Sequence, residues 1–221
     1  MIRILVHATL LLLFVSCNNK IGQNSIEKYL DNSIAVDSEN VPKNPNEAYF
    51  PTEFFRIDTG ETTYDGKFTV EWYSKHLYAM KEPLLYNIIP HKEIFRFLWL
   101  RTFDPPVAIR IEKNKDEYSL TLKICDGAGG YDPGNLIVNK TKAIDKATWN
   151  SFTGLVEKAG YWNSATTDND IGLDGSQWIL ESADNRRYHV VDRWSPQSGS
   201  FYNCCMFLIK LMEEDIPGGV Y

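Results

Sequence analysis

Three apolar runs, Ile94–Phe103, Val107–Glu112 and Tyr118–Cys125, follow one another with only short polar breaks between them. The breaks, Asp104-Pro105-Pro106 and Asn114-Lys115-Asp116, carry the residues that favour turns, so the runs are predicted as successive β-strands. Leu120, Leu122 and Ile124 alternate with Thr121 and Lys123, which predicts one buried and one wet face. The same period of two appears earlier, with Phe68, Val70, Trp72 and Ser74 alternating with Thr69, Glu71 and Tyr73, and predicts a strand from Lys67. Beyond the glycine-rich stretch Asp126–Gly134, Leu136-Ile137-Val138 begins another short strand.

The period then changes. Trp149, Phe152, Leu155 and Val156 repeat at helical spacing behind Asp145, a good N-cap, so a helix is expected over Lys146–Lys158 with Gly160 ending it. A hairpin follows, Gln177–Glu181 and Tyr188–Trp194, turning at Asp184-Asn185. A last helix spans Phe201 to Met212, before Pro217-Gly218-Gly219. Strands, helix, hairpin and helix come without βαβ alternation. The expected class is therefore α+β, a mainly antiparallel sheet with about two helices packed on one face.

Residues 18–48 are poor in material for a core. Asn18, Asn19, Asn24, Asn32, Asn40, Asn44 and Asn46 crowd this stretch, with Pro42 and Pro45 near its end, and a disordered polar tether is expected. As a coil it would span roughly 30 Å. One globular domain is expected over residues 49–221. The formal net charge of −6 argues against a nucleic-acid partner, since Arg186-Arg187 is a pair and not a basic stripe. Aromatic residues make up 13% of the chain, which suits a β-rich core.

The first residues are of a different kind. Arg3 precedes an apolar segment from Ile4 to Val15, interrupted by His7 and Thr9, and polar Asn18, Asn19 and Lys20 follow Cys17. This is the layout of an export signal, and it falls short of the about 20 apolar residues a spanning helix needs. The ending Phe14-Val15-Ser16-Cys17 resembles the lipobox of bacterial lipoproteins, with Phe14 where that family usually has Leu. The resemblance implies a lipoprotein signal peptide over residues 1–17, attachment of diacylglycerol to the Cys17 thiol, cleavage that makes Cys17 the new N-terminus, and further acylation by chains such as palmitate. The protein would then be lipid-anchored in the bacterial cell envelope, at the outer membrane or the periplasmic face of the inner membrane.

Several motifs invite chemistry. Asp126–Gly134 has the glycines of a phosphate loop, but no Lys-Ser/Thr follows and the next segment is a strand, so a wide turn is expected. Asp170, Asp174 and Glu181 fall on positions 1, 5 and 12 of a calcium loop, although Gly172 removes a ligand and Trp178-Ile179-Leu180 is strand where that loop needs helix. Cys125, Cys204 and Cys205 allow a disulfide between Cys125 and one of the pair, or a metal site with His189, but buried free thiols are expected. No cofactor is implied.

The hairpin carries the densest polar set: Ser176, Glu181, His189, Asp192, Arg193 and Ser195. A Ser176–His189–Asp192 triad has no nucleophile elbow around it, and strand parity points His189 and Asp192 to opposite faces. Segments Asp174–Glu181 and Tyr188–Pro196 resemble blocks in uncharacterised bacterial proteins, a likeness running from Ile124 onward that implies no activity. The leading expectation is an envelope binding module for a protein or glycan ligand, using Trp178, Tyr188, Arg193 and Trp194. The alternative is a hydrolase-like enzyme using Glu181, His189 and Asp192. Clustering of those three in one concave pocket would separate the two.

Overall fold

A computed structural model describes residues 24–58, 60, 62–168, 170, 172–216 and 218–221. Cys17, the signal segment, residues 18–23 and Pro217 lie outside the described residues. The elements are β1 (Ile57–Asp58), β2 (Thr63–Tyr64), α1 (Lys67–Ala79), β3 (Glu93–Arg101), β4 (Val107–Asn114), β5 (Glu117–Cys125), β6 (Leu136–Ala143), α2 (Lys146–Lys158), β7 (Ser176–Ala183), β8 (Tyr188–Trp194) and α3 (Gly199–Leu211). Strands β1 and β2 pair only with each other. The other six form one antiparallel sheet in the order β6-β5-β4-β3-β7-β8. The fold is α+β and mainly sheet.

Helices α2 and α3 cover one face, as expected. Helix α2 starts where its cap says: the Asp145 carboxylate accepts from the Thr148 backbone N–H at 2.7 Å. Gly160 takes a left-handed conformation beyond its end, with φ of 62°. Trp149, Phe152 and Val156 of α2 and Cys204, Cys205 and Leu208 of α3 pack on Phe95, Phe97, Trp99, Ile109, Leu122 and Trp178.

The segment expected as a strand from Lys67 is helix α1, and it covers the opposite face. Val70, Tyr73 and Leu77 sit three and four residues apart and are buried together, while Phe68 is left 78% exposed. Alternation of aromatic and β-branched residues imitated a strand over one turn too many. The start of α1 is fixed by Gly66, which has a φ of 77° and sits so close to the preceding turn that a Cβ would lie 2.6 Å from the Thr52 carbonyl oxygen. On this face α1 meets Ile94, Leu98, Ala108, Cys125, Ile179 and Val190. Strand β3 is accordingly buried on both sides along almost its whole length. The face of β5 expected to be wet is also covered, since Thr121 and Lys123 are buried.

The disorder expected of residues 18–48 is not what the described part of that segment shows. From Asn24 onward this segment is part of the domain. The Tyr188 N–H donates to the Asn24 carbonyl at 2.8 Å, and the Ile26 N–H donates to the Arg186 carbonyl at 2.9 Å. Ile26 is fully buried and packs among the α1-face core residues. These bonds cover the start of edge strand β8, which would otherwise offer unpaired amides to another chain. Asn40 has its own role: its side chain donates to the Leu84 carbonyl at 2.8 Å.

The cysteines fall on opposite faces, Cys125 toward α1 and Cys204 and Cys205 under α2, so the sheet separates the expected disulfide partners. All three are free and buried, and burial pushes the Cys125 and Cys204 thiols up to about 11.

Burial of Ile26 gives a direct test. Ile26→Ala is expected to lower the unfolding free energy by about 2–4 kcal/mol, the cost of emptying a core site, measured by urea denaturation. A residue in a disordered tether would leave the midpoint unchanged.

Candidate functional site

The strand register lines up an unusual row on the α1 face. Glu181 of β7 pairs with Arg96 of β3, Arg96 with Arg110 of β4, Arg110 with Thr121 of β5, and Thr121 with Thr141 of β6. Two arginines directly across a ladder repel unless acids separate them. Glu82, just past the end of α1, supplies one. Its carboxylate lies 3.0 Å from the Arg110 Nε, 3.0 Å from the Lys123 Nζ and 3.5 Å from an Arg96 guanidinium nitrogen. Glu181 supplies the other, accepting from the Arg96 Nε at 3.0 Å and from the Tyr188 hydroxyl at 2.7 Å.

Burial acts on Glu82, Glu181 and Arg96, and the partners decide the outcome. Burial pushes the Glu82 carboxyl up, but Arg110, Arg96 and Lys123 together hold it below its ordinary value. Burial also raises Glu181, and there Arg96 and Tyr188 offset it only in part. Arg96 is desolvated, yet Glu181 and Glu82 keep it firmly charged.

Toward β6 the row comes into the open. Helix α1 ends at Ala79, and the chain then loops through Pro83–Pro90 along the margin of strands β4–β6. The result is a cleft of about 490 Å³. Arg110, Thr121, Lys123 and Thr141 line it on the strand side, and Leu84, Leu85, Ile88 and Ile89 from the loop. Lys81 and Lys92 stand at the cleft, and Glu112 binds both Lys92 and Arg110 at 2.5 Å. Ile88 and Ile89 are more than two-fifths exposed, apolar surface set beside cations. Among the described residues, no aromatic ring of Phe, Tyr or Trp lines this cleft.

The hairpin residues are placed differently from expectation. Trp178 and Tyr188 are fully buried, one against Phe97, Trp99 and Tyr202, the other against Tyr29, Phe54 and Tyr86. Neither can meet a ligand, because both faces of the sheet are covered. Arg193 is occupied: it donates to the Thr166 carbonyl at 2.8 Å and pairs with Asp168 at 3.1 Å. Trp194 is half-buried beneath the preceding turn, where a Cβ on Gly172 would lie 2.2 Å from its indole nitrogen.

The three residues of the enzymatic alternative do not converge. Glu181 and Asp192 face α1, and His189 faces α2, as strand parity requires. The His189 Nε2 lies 2.9 Å from the Ser164 carbonyl, so this nitrogen carries the proton and donates, and burial keeps the ring neutral. Ser176 is buried with its hydroxyl accepting from the Trp178 indole at 2.8 Å, on the face away from Asp192. Asp192 accepts from the Tyr73 hydroxyl at 2.8 Å, and burial pushes its carboxyl up to about 7.

The calcium alternative fails for a related reason. Asp170 and Asp174 are exposed, but Glu181 is committed to Arg96 inside the sheet. No group of three or more His, Cys, Asp or Glu able to hold a metal exists among the described residues, so the site with His189 and the cysteines is also not formed. The Asp126–Gly134 loop is a wide turn as expected. The Gly127 and Ala128 amides donate to the Pro133 and Asp132 carbonyls within it, leaving neither for an anion. No protein-family model matches the chain, and no curated protein matches it at a significant level.

Sequence inspection passed over Glu82, Arg96, Arg110 and Lys123. The signal was present: Arg96, Arg110 and Lys123 are cations inside otherwise apolar strand runs, and a buried charge needs a buried partner.

Arg96→Met is expected to destabilise the fold by about 3–5 kcal/mol, since Glu181 and part of Glu82 lose their cation. Adding Glu181→Gln to that variant recovers part of the loss, measured by urea unfolding. Asp192 carries a pH signature. Its folded pKa of about 7 lies above the unfolded value of about 3.9, so the stability it contributes is present below pH 4 and lost as pH rises through 7. From pH 4 to pH 8 the stability of Asp192→Asn relative to the parent therefore rises, by roughly 2–4 kcal/mol, in paired denaturation curves.

Proposed function

We propose that this chain is a bacterial envelope lipoprotein, held to a membrane through diacylglycerol on Cys17, whose domain binds a protein partner. The cleft over β4–β6 is the observation that carries the binding half. It sets exposed Ile88 and Ile89 beside exposed Lys81, above Arg110 and Lys123 that Glu82 already pairs, which suits an apolar side chain flanked by a carboxylate that meets Lys81. A glycan fits less well, because sugars are gripped by ring faces and the cleft has no Phe, Tyr or Trp among the described residues. The anchoring half rests on the lipobox-like ending at Cys17, and no helix among the described residues is long and apolar enough to cross a membrane.

Catalysis by Glu181, His189 and Asp192 is the weaker alternative. The first is neutralised by Arg96, the second is turned to the other face, and the third is closed off under Tyr73.

Two measurements on the full-length chain in cells test the proposal. Cys17→Ala should move the protein out of the membrane fraction. A photo-crosslinking residue at Ile88 should capture a partner protein, and Lys81→Glu should lower that yield about tenfold, the effect of losing one favourable interface contact. Crosslinking from position Trp194 and not from Ile88 would return the site to the hairpin.

A further inference from the structure

Resting on the anchoring of Cys17, we infer that the domain lies against the lipid surface, with the face around Asn24, Trp162 and Arg186 in contact with the phospholipid interface. The argument is covalent. The chain is clamped to the fold from Asn24, whose carbonyl accepts from the Tyr188 N–H at 2.8 Å and whose side chain donates to the Trp162 carbonyl. The next residue, Ser25, forms a bridge to Arg187. Only the seven peptide steps from residue 17 to residue 24 separate the lipid from this clamp. Whatever their conformation, they reach at most about 25 Å, and a lipid-bearing first residue sits at the membrane surface itself.

The face that this short link holds down has the chemistry of an interface. Trp162 is half-buried, with the Arg187 guanidinium 3.9 Å above its ring and paired to Asp184 at 2.7 Å. Such an amphipathic ring with one wet edge is the kind of residue that settles at headgroup depth. Arg186 is exposed and makes no ion pair among the described residues, and Glu157 on the same rim balances it. Contact therefore draws on nearness and on Trp162, and anionic lipid is not required.

The test uses the lipidated chain, purified from membranes of a bacterial host and reconstituted into phosphatidylcholine vesicles brominated near the headgroup. Bromine quenches nearby tryptophan. The parent should be quenched, Trp162→Phe should lose most of that quenching, and Trp194→Phe, near the far end of β8, should keep it. A flexible Gly/Ser spacer of roughly 20 residues inserted after Lys20 adds about 25 Å of coil and should abolish quenching while the protein still floats with the vesicles. This variant keeps every tryptophan, so it does not depend on a substituted core folding. Vesicle-bound protein that is unquenched, or quenching that survives the spacer, overturns the inference and leaves the anchor standing. Protein absent from the membrane fraction overturns the anchor, and the inference with it.

Discussion

Glu82 holds three cations at the centre of the sheet's α1 face, and the architecture of that face follows from it. Arg96 and Arg110 are directly paired across β3 and β4, and Lys123 lies on the next strand. Without an acid above them, three buried positive charges would force water into the core or drive the strands apart. Glu82 can reach all three because α1 ends at Ala79 and the chain reverses there, with Lys81 in a left-handed conformation at φ of 52°. The Tyr49 hydroxyl donates to the Glu82 backbone carbonyl at 2.8 Å and fixes the same turn from the N-terminal side. Glu82 thus ties three strands to its carboxylate and the N-terminal segment to its backbone carbonyl, and Arg96 extends the network to Glu181 on β7. Buried ion pairs are weak sources of stability but strong constraints on alternatives, because each misplacement strands a charge. That constraint suits a sheet whose faces are both covered, where apolar contacts alone would tolerate a slipped register.

The same cluster accounts for the cleft. Where α1 covers the row, at Arg96 and Glu181, the charges are sealed and serve the fold. Where the helix has ended, Arg110, Thr121 and Lys123 form the largely buried floor of the cleft, and the row reaches solvent at Thr141. The cations there are already oriented by Glu82 and Glu112, so a ligand would meet a preorganised site and not mobile lysines.

Locally encoded parts of this fold were legible in the sequence. Helix α2 and the β7–β8 hairpin emerged with nearly their observed bounds because a cap residue and a turn pair act within a few residues of themselves. Helix α1 was not legible. Its Phe, Val, Trp and Tyr residues satisfy a period of two as well as a period of 3.6, and only the packing of Val70, Tyr73 and Leu77 against the sheet decides between them. The role of residues 24–48 was hidden for another reason. What attaches them is backbone pairing beside β8, the side chains of Asn24 and Asn40 on backbone carbonyls, and a few scattered apolar residues such as Ile26 and Tyr29, none of which makes a periodic pattern. For the hairpin, parity correctly separated His189 from Asp192. It could not tell that helices cover both faces, which is what removes Trp178 and Tyr188 from any surface.

The sheet order links the two ends of the molecule. Asn24 binds at β8, one edge of the sheet, whereas the cleft lies over β4–β6 at the other. Three to five strand spacings separate them, about 14–24 Å at the usual inter-strand distance. A chain fastened at Cys17 and clamped at Asn24 would therefore rest its β8 edge on the lipid and carry the cleft on the side farthest from it. A long tether would let the domain tumble and present every face equally. A short one makes the antiparallel order of the strands into an orientation, with Ile88, Ile89 and Lys81 facing the aqueous space in which a protein partner would be met.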